Sequence, residues 1–386
     1  MNKKNLLIWS AVALSMGFGA CNKVAPVDPV DQPEATFNVR IVQDTKPGVR
    51  AIGDLSTDGI STKGLAEESA IKKTQVWIFS GSSLDGYGES ATAEVKNISA
   101  TTGSREVFIV VNGDGLSKTT SKQDLENAVS KLIPEREIKS TGLVMTADKQ
   151  TFNLKEGKNM AGYGDKLADG SNNLVANPIP VSRINARVAI VSAKLELDEE
   201  SKKIFDELKD VEVSMFNVQE DAKIFDPSVT SGQFLYGDDW IAKAGTYEKG
   251  AKKAKLLEKH FGFPIDIKKA PYFYVNPMAM KDKTFVVLRG KIYKSGKPVV
   301  AEGLYTDKEG YTYYPVYVNS TKEGYSYGKE AGANMGTGVL LRNTQYNISL
   351  TIKKIGNPTI DPSGKATVEV KTTVSPWVVV PQNVVW

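Results

Sequence analysis

The sequence predicts an all-β protein made of two β-sandwich domains with a few short helices. Most of its apolar stretches are short and alternate apolar with polar residues, which is typical of half-buried strands. Clusters of Gly, Asn and Asp separate these stretches and indicate turns. Many short strands with few helices favour sandwiches over a layered α/β sheet, and 386 residues are enough for two domains.

Residues 1–20 have the composition of an export signal. Lys3 and Lys4 precede the apolar stretch LLIWSAVALSMGF, and small residues lead up to Cys21. Cys21, the one cysteine of the chain, is therefore predicted to be the lipid acceptor of a lipoprotein, with an incidental cysteine as the alternative. Phe18 stands where the bacterial pattern usually has Leu. Acyl chains on Cys21 would hold the precursor to a membrane.

A tether, one strand and a loop follow the cysteine. NKVAPVDPVDQPE is polar and rich in proline, which predicts an extended linker. In ATFNVRIVQ, Phe37, Val39 and Ile41 alternate with polar residues and predict a half-buried strand. The loop DTKPGVRAIGDLSTDG then exposes the bond between Arg50 and Ala51 to proteases. Residues 21–50 are thus predicted to be a lipidated segment with tether and first strand, which becomes a propeptide if the bond after Arg50 is cut.

The rest of the chain is predicted to be mostly strand and turn. A boundary near NPIPVS separates a domain of residues 51–180 from one of residues 181–386. In KTQVWIFSG, Val76 and Ile78 should lie on one face of a strand and Trp77 and Phe79 on the other. Further strands are expected in REVFIVVNGDG, INARVAIVSAKLEL, VEVSMFNV, KTFVVLRGKIY, GYTYYPVYVN and TQYNISLTIKKI.

Two short segments have helical spacing. SKQDLENAVSKLI places Leu125, Val129 and Leu132 on one face, and its Ser121 and Asp124 form a plausible capping pair. DEESKKIFDELKD places three apolar residues on one face, namely Ile204, Phe205 and Leu208.

Composition and motifs argue against a nucleic-acid partner and against catalysis. The net charge is only +4, and the lysines are scattered among nearly as many acidic residues. The sequence therefore has no basic stripe of the kind that neutralises nucleic-acid phosphates. His260, the one histidine, has no cysteine or triad partner in its motif and is predicted to be a surface or packing residue. No enzyme activity, cofactor or metal is predicted, although paired carboxylates that meet only in space remain open.

The chain ends in VSPWVVVPQNVVW, with no charged residue after Lys371. An unpaired strand of Val and Trp would expose both a backbone edge and apolar side chains. Something in the same chain or in another chain must therefore cover it. ATVEVKTTV is compatible with the last strand of its own domain, even if the residues from Trp377 onward are donated.

Five stretches, in this order along the chain, resemble FimA-type major fimbrillins: GLVMTAD, LKEGKNMAGYGD, INARVAI, GYTYYPVYVN and TTVSPWVVVPQNVVW. The resemblance covers most of the length. It implies two transthyretin-like β-sandwich domains and the stalk subunit of the lipoprotein-derived fimbriae of oral and gut anaerobes. It also implies a cell-surface fimbria whose precursor is anchored to the outer membrane by lipid, and a role in adhesion and colonisation.

The resemblance further implies how such a subunit assembles. An Arg-specific surface protease cuts between Arg50 and Ala51 and frees the strand that carries Phe37, Val39 and Ile41. The C-terminal segment of another subunit then takes its place by β-strand addition. The expected donor strand spans about residues 377–386, with the apolar residues Trp377, Val378, Val379, Val380, Val384, Val385 and Trp386.

A chain with both a cut site and a donor segment receives one strand and donates another, which favours a stalk over a tip or anchor subunit. The expected partners are identical subunits head to tail, accessory tip and anchor subunits, the protease, and host or bacterial surface ligands.

Two alternative functions from other classes remain open. One is a monomeric outer-membrane lipoprotein that binds glycans through Tyr311, Tyr313 and Tyr317, unless these tyrosines pack across strands. The other is a secreted β-sandwich hydrolase.

Overall fold

The computed structural model describes residues 33–43, 66–165, 167, 170–226, 233–240, 248, 250–266, 270–320, 325–327, 336–361 and 368–376. Within these ranges strands dominate and helices are few and short, which confirms the predicted all-β class. No helix in these ranges is long and apolar enough to cross a membrane.

The N-terminal half of the chain contributes eleven strands in the described ranges. They are β1 (Glu34–Gln43), β2 (Thr74–Ser80), β3 (Ser83–Ser90), β4 (Glu94–Thr101), β5 (Gly103–Val111), β6 (Val129–Lys131), β7 (Met145–Thr146), β8 (Gln150–Leu154), β9 (Gly157–Ala161), β10 (Asn172–Val175) and β11 (Ile179–Arg183). All except β6 belong to one hydrogen-bonded ladder in the order β10-β9-β1-β11-β7-β5-β2-β3, with β4 on β1 and β8 on β5. The ladder folds over a core in which Phe37, Val76, Ile78 and Val95 meet.

The C-terminal half continues with the strands from β12 onward. They are β12 (Ala186–Leu195), β13 (Glu207–Phe216), β14 (Val218–Gln219), β15 (Asp221–Lys223), β16 (Phe234–Tyr236), β17 (Lys252–Lys253), β18 (Glu258–Phe261), β19 (Tyr272–Val275), β20 (Phe285–Lys294), β21 (Lys297–Pro298), β22 (Tyr311–Tyr317), β23 (Tyr325–Tyr327), β24 (Thr344–Ile352) and β25 (Val368–Pro376). One sheet has the order β19-β12-β24-β25-β23, and the facing sheet has β18-β13-β20-β21 with β22 on β20. Val188, Val213, Leu288 and Ile348 meet in the core between them.

The sheet faces match the sequence pattern where strands are long. Val76 and Ile78 pack in the core of the N-terminal half, while Trp77 and Phe79 pack on the opposite face, where helix α1 (Lys122–Asn127) adds Leu125. The two-sided burial predicted for this strand is therefore confirmed. The other helices are α2 (Glu135–Thr141), α3 (Glu199–Ile204) and the 3-10 helices Ala66–Ser69 and Lys255–Leu257.

Both predicted helices are shorter than their apolar spacing indicated. The Ser121 side chain caps α1 by accepting from the Asp124 N–H, as expected. The helix nevertheless ends at Asn127, and Val129 starts β6, which pairs with β15. Tertiary pairing thus overrides a local helical pattern. In the second case α3 ends at Ile204, and Leu208 belongs to β13 instead.

A buried ion pair joins the two halves. Glu68, in the first 3-10 helix, accepts from Arg187 Nη1 on β12 at 2.8 Å, and both side chains have 0% exposure. The Tyr274 hydroxyl donates to the same carboxylate at 2.7 Å, and Arg183 Nε donates to the Glu68 carbonyl at 3.0 Å. Burial and the Glu68 carboxylate both raise the pKa of Tyr274, so this hydroxyl stays protonated and serves as a donor.

Candidate functional site

Strand β1, the predicted first strand, lies inside its sheet rather than at an edge. Residues 34–40 pair antiparallel with β4, and residues 35–39 pair parallel with β9 on the other side. Residues 41–43 then pair parallel with β11. The segment therefore supplies hydrogen bonds to three neighbouring strands, and its loss would leave all three with unpaired backbone groups.

The inner face of β1 is a row of buried apolar side chains. Phe37, Val39 and Ile41 are 0%, 0% and 3% exposed, whereas Val42 on the other face is 47% exposed, which agrees with the predicted half-buried strand. Phe37 also meets the ring of Phe152, with 5.7 Å between centroids. Burial of side chains of this size is worth roughly 1.5–3 kcal/mol each. The core cluster that they join includes Val95, Ile98, Leu154, Ala161, Ile179 and Val181.

The outer face of β1 holds a buried amide that sequence reasoning missed. Asn38 is only 2% exposed. Its Oδ1 accepts from the Asn97 N–H at 2.9 Å, and its Nδ2 donates to the Asn159 carbonyl at 3.3 Å. One side chain thus bonds β1 to the strands on both of its sides. Alternation alone indicated only a polar residue at this position, because its partners are far away in sequence.

An ion pair secures the end of the same face. Arg40 donates to Glu94 Oε1 from Nε at 2.7 Å and from Nη2 at 2.5 Å. The guanidinium also lies 4.6 Å from the ring centre of Tyr163. Burial acts to raise the pKa of Glu94, but hydrogen bonds from Lys96 and Arg40 outweigh it and hold this pKa below its ordinary value. Glu94 is therefore ionised near neutral pH and faces β1.

The strand before the predicted donor segment belongs to its own sheet. β25 pairs antiparallel with β24 from Val368 to Pro376 and parallel with β23 through residues 370–372. This agrees with the possibility that ATVEVKTTV is the last strand of its own domain. The predicted donor residues 377–386 lie outside the described residues, as do Cys21, Arg50 and Ala51.

The tyrosines proposed as a sugar platform are packed instead. Tyr311 and Tyr313 are 8% and 0% exposed and join a cluster with Trp240 and Phe285, while Tyr314 points into the main core and is also 0% exposed. The Tyr313 hydroxyl donates to Asp307 Oδ2 at 2.6 Å. Tyr317 is half-buried and packs on Phe285. Cross-strand aromatic packing thus explains this motif, and it removes the observation that favoured a glycan-binding protein.

Comparison with protein families gives two matches that together span most of the chain. The model of the major fimbrial subunit protein (FimA) matches residues 48–183. The model of the FimA4 pilin C-terminal domain matches residues 185–377. The two models divide beside the end of β11, a few residues after the boundary at 180/181 that the sequence suggested.

Individual relatives agree with this assignment. The major fimbrium subunit FimA type-4 of Porphyromonas gingivalis is 27% identical over 411 aligned positions, with all of both chains covered. The type-5 subunit of the same organism is 26% identical, again with full coverage. The sequence similarity therefore extends from one end of the chain to the other.

Solved structures extend the match to the fold. A fimbrilin (fimA) from Porphyromonas gingivalis W83 superposes with a TM-score of 0.71 at 26% identity, over 90% of this chain and 99% of that one. A putative cell adhesion protein from Parabacteroides distasonis shares the fold, with a TM-score of 0.63 at 17% identity and coverage of 90% and 100%. The chain belongs to the FimA family of major fimbrial subunits, the structural proteins of cell-surface fimbriae.

Proposed function

We propose that this subunit forms the stalk of its fimbria by exchanging one strand for another. The precursor is exported as a lipoprotein, with lipid on Cys21 anchoring it to the outer membrane. An Arg-specific surface protease cuts between Arg50 and Ala51, and β1 leaves. The segment 377–386 of a second subunit then occupies the site of β1. The role is structural, not catalytic.

The observation that carries this proposal is that the first strand of the described residues is an internal one. β1 is bonded on both sides, yet the only covalent link from it to the remaining strands runs through residues 44–65. After a cut at Arg50, hydrogen bonds and packing alone hold residues 1–50 in place. No other described strand becomes a separate chain through the same cut.

The vacated site suits a strand as its next occupant. Loss of β1 leaves unpaired edges on β4 and β9 and removes the cover from the core around Val95 and Ile179. An exposed edge above an apolar groove is a template for β-strand addition, in which the backbone supplies adhesion and side-chain pockets set the register.

The proposed donor has the apolar content that the groove requires. Residues 377–386 contain five valines and two tryptophans. Each fully buried side chain of this kind gains roughly 1.5–3 kcal/mol, whereas ordering the strand costs about 1–2 kcal/mol per residue. Insertion is therefore favourable only when most of the side chains are covered, so a partly inserted tail should detach readily.

Exchange of this kind joins unlike surfaces of identical subunits, head to tail. Such a contact does not close on itself and builds an open filament. In the proposed fimbria, accessory subunits occupy the tip and the anchor, and host or bacterial surface ligands are bound during adhesion and colonisation. The tip needs no donor segment, because no subunit lies beyond it.

The test treats residues 22–386 with a strictly Arg-specific protease, since trypsin would also cut after lysines such as Lys63 in the same loop. N-terminal sequencing should give Ala51, and electron microscopy or a ladder on a denaturant-free gel should show polymers. A variant truncated before Trp377 should give the same new terminus without polymers.

Two substitutions in the same loop provide the matched control. Arg50→Ala should abolish both cutting and assembly, whereas Lys46→Ala should leave both intact. A stable monomer that keeps the fragment 22–50 after complete cutting at Arg50 would contradict the proposal, as would polymers formed by the truncated variant.

A further inference from the structure

A histidine and two glutamates converge on the outer face of the C-terminal half, away from the strand-exchange site. Strands β13 and β18 run antiparallel, with Glu212 directly opposite His260. Glu258 lies two residues before His260 on the same strand, so its side chain shares the face of the imidazole. The pairing of the two strands thus places all three side chains on one patch.

The ligand atoms are already close to one another. His260 Nδ1 lies 3.2 Å from Glu212 Oε1, and His260 Nε2 lies 3.2 Å from Glu258 Oε1. The three potential ligand atoms all fall within 4.8 Å of each other. A tetrahedral Zn²⁺ ion with ligands at about 2.0–2.1 Å separates them by about 3.3–3.5 Å. Small side-chain rotations are therefore sufficient to surround an ion.

Glu212 is held in a fixed orientation by groups behind it. Arg289 donates to Glu212 Oε2 from Nε at 2.6 Å and also from Nη2. The guanidinium in turn lies 4.2 Å from the ring centre of Trp240 and 4.3 Å from that of Tyr311. This support occupies Oε2 and leaves Oε1 directed at His260, as outer groups do for the ligands of metal sites.

The lysines near the patch are paired with acids or packed on a ring. Asp210 lines the same surface cavity, of about 490 Å³, together with Glu212, His260 and Tyr311. Lys253 is paired with Asp238 at 2.5 Å, and Lys291 is paired with Asp210 at 3.5 Å. Lys259, although adjacent to His260 in sequence, lies over the ring of Tyr272 at 4.3 Å. The cavity leaves room for water to complete the coordination of an ion.

We propose that Glu212, Glu258 and His260 bind a divalent transition-metal ion, with Zn²⁺ as the best fit. One imidazole nitrogen and two carboxylate oxygens suit Zn²⁺, whereas Ca²⁺ and Mg²⁺ prefer oxygen ligands alone. Among the described residues, this is the grouping of His, Cys, Asp and Glu that offers three ligand atoms. The sequence had predicted only a surface or packing role for His260, because Glu212 lies on a different strand and meets it only in the fold.

The chain itself makes the test unusually direct. His260 is the one histidine of the chain and Cys21 the one cysteine. Imidazole and thiolate are the nitrogen and sulfur ligands that Zn²⁺ prefers, so in a Cys21→Ser form His260 is the one remaining ligand of this kind. Zn²⁺ is titrated into this full-length form against a chromophoric chelator. The imidazole ¹H and ¹⁵N signals, which arise from His260 alone, are followed in parallel.

The expected result is one Zn²⁺ per chain, with a shift of the imidazole signals. His260→Gln and Glu258→Gln should each weaken binding by about tenfold or more. Glu196→Gln is the control, because this glutamate pairs with Lys194 and Lys353 and belongs to no such grouping. Unchanged affinity in His260→Gln overturns the proposal, and so does a lack of binding at millimolar Zn²⁺. His260 is 69% exposed, so its variant should fold normally.

Discussion

Strands β1 and β24 occupy similar positions in their sheets but differ in how the chain holds them. Both have a parallel neighbour on one side and an antiparallel neighbour on the other, and both bury an apolar face. Phe37 and Val39 of β1 are 0% exposed, as are Tyr346 and Ile348 of β24. Packing therefore does not distinguish β1, which we propose is exchanged, from β24, which is not.

The outer faces of the two strands do differ. Gln345 of β24 accepts from Arg187 Nη2 at 2.7 Å, and this arginine belongs to the buried ion pair between the halves. Arg40 of β1 instead pairs with Glu94 while 42% exposed. The charged contact of β1 is thus partly solvated, whereas the contact of β24 with Arg187 is fully buried.

The largest expected effect is on stability, and for the two strands it differs between the uncut protein and the polymer. Phe37→Ala should destabilise the uncut protein by about 3–5 kcal/mol, and Ile348→Ala by about 2–5 kcal/mol, since each leaves a cavity in a core. If β1 is exchanged as proposed, Phe37 is absent from the assembled polymer, and only Ile348→Ala should still lower its stability. Urea unfolding of the uncut monomer and of the polymer measures both effects. Equal sensitivity to Phe37→Ala in the two forms would show that β1 stays.

The second effect concerns the link between the halves. Glu68→Gln removes the charge that pairs with Arg187 and should cost about 3–5 kcal/mol, because a buried guanidinium loses its counter-charge. Thermal unfolding of the uncut protein measures the loss. Glu67→Gln, at the partly exposed neighbouring position, is the matched control and should leave the melting temperature nearly unchanged. Similar losses in both variants would contradict a specific role of the buried pair.

A smaller effect is expected at the buried amide of β1. Asn38→Ala leaves the Asn97 N–H without its acceptor and should cost about 1–3 kcal/mol. After cutting at Arg50, the same change should speed the release of residues 1–50. The measurement is the rate at which this fragment separates on a sizing column. Asn173→Ala, on strand β10, which does not pair with β1, should leave the rate unchanged.

The smallest effect is a pH dependence of that release. Since the pKa of Glu94 is lowered in the presence of β1, its pairing with Arg40 is complete above the ordinary carboxyl range and is lost as pH falls through the lowered pKa. Release of β1 from the cut protein should therefore quicken on acidification. A pair this exposed contributes about 1 kcal/mol or less. Arg40→Gln should flatten the pH profile, and an unchanged profile would exclude a role for the pair.

Local sequence pattern predicted the parts of the fold that depend on neighbouring residues. The alternation of Phe37, Val39 and Ile41 indicated β1, and the cap formed by Ser121 indicated the start of α1. The end of α1 was missed, because Val129 pairs with Lys223 in the other half of the chain.

The polar contacts of the site required the structure. Asn38 bonds to residues 59 and 121 positions away, and Glu68 pairs with Arg187 across 119 positions. Nothing local marks such residues as buried, since charged and amide side chains are usually exposed. The approach of Glu212 to His260 depends in the same way on the pairing of β13 with β18.

The pairing of β25 has a mechanical consequence for the proposed filament. A pull on the segment after Pro376 runs lengthwise along β25, whose nine residues all pair with β24. The rungs of this ladder lie across the direction of the pull, so they are loaded in shear and share the force. A pull at right angles would open them one at a time. Tension that runs along β25 from the proposed donor segment would therefore be spread over the whole ladder.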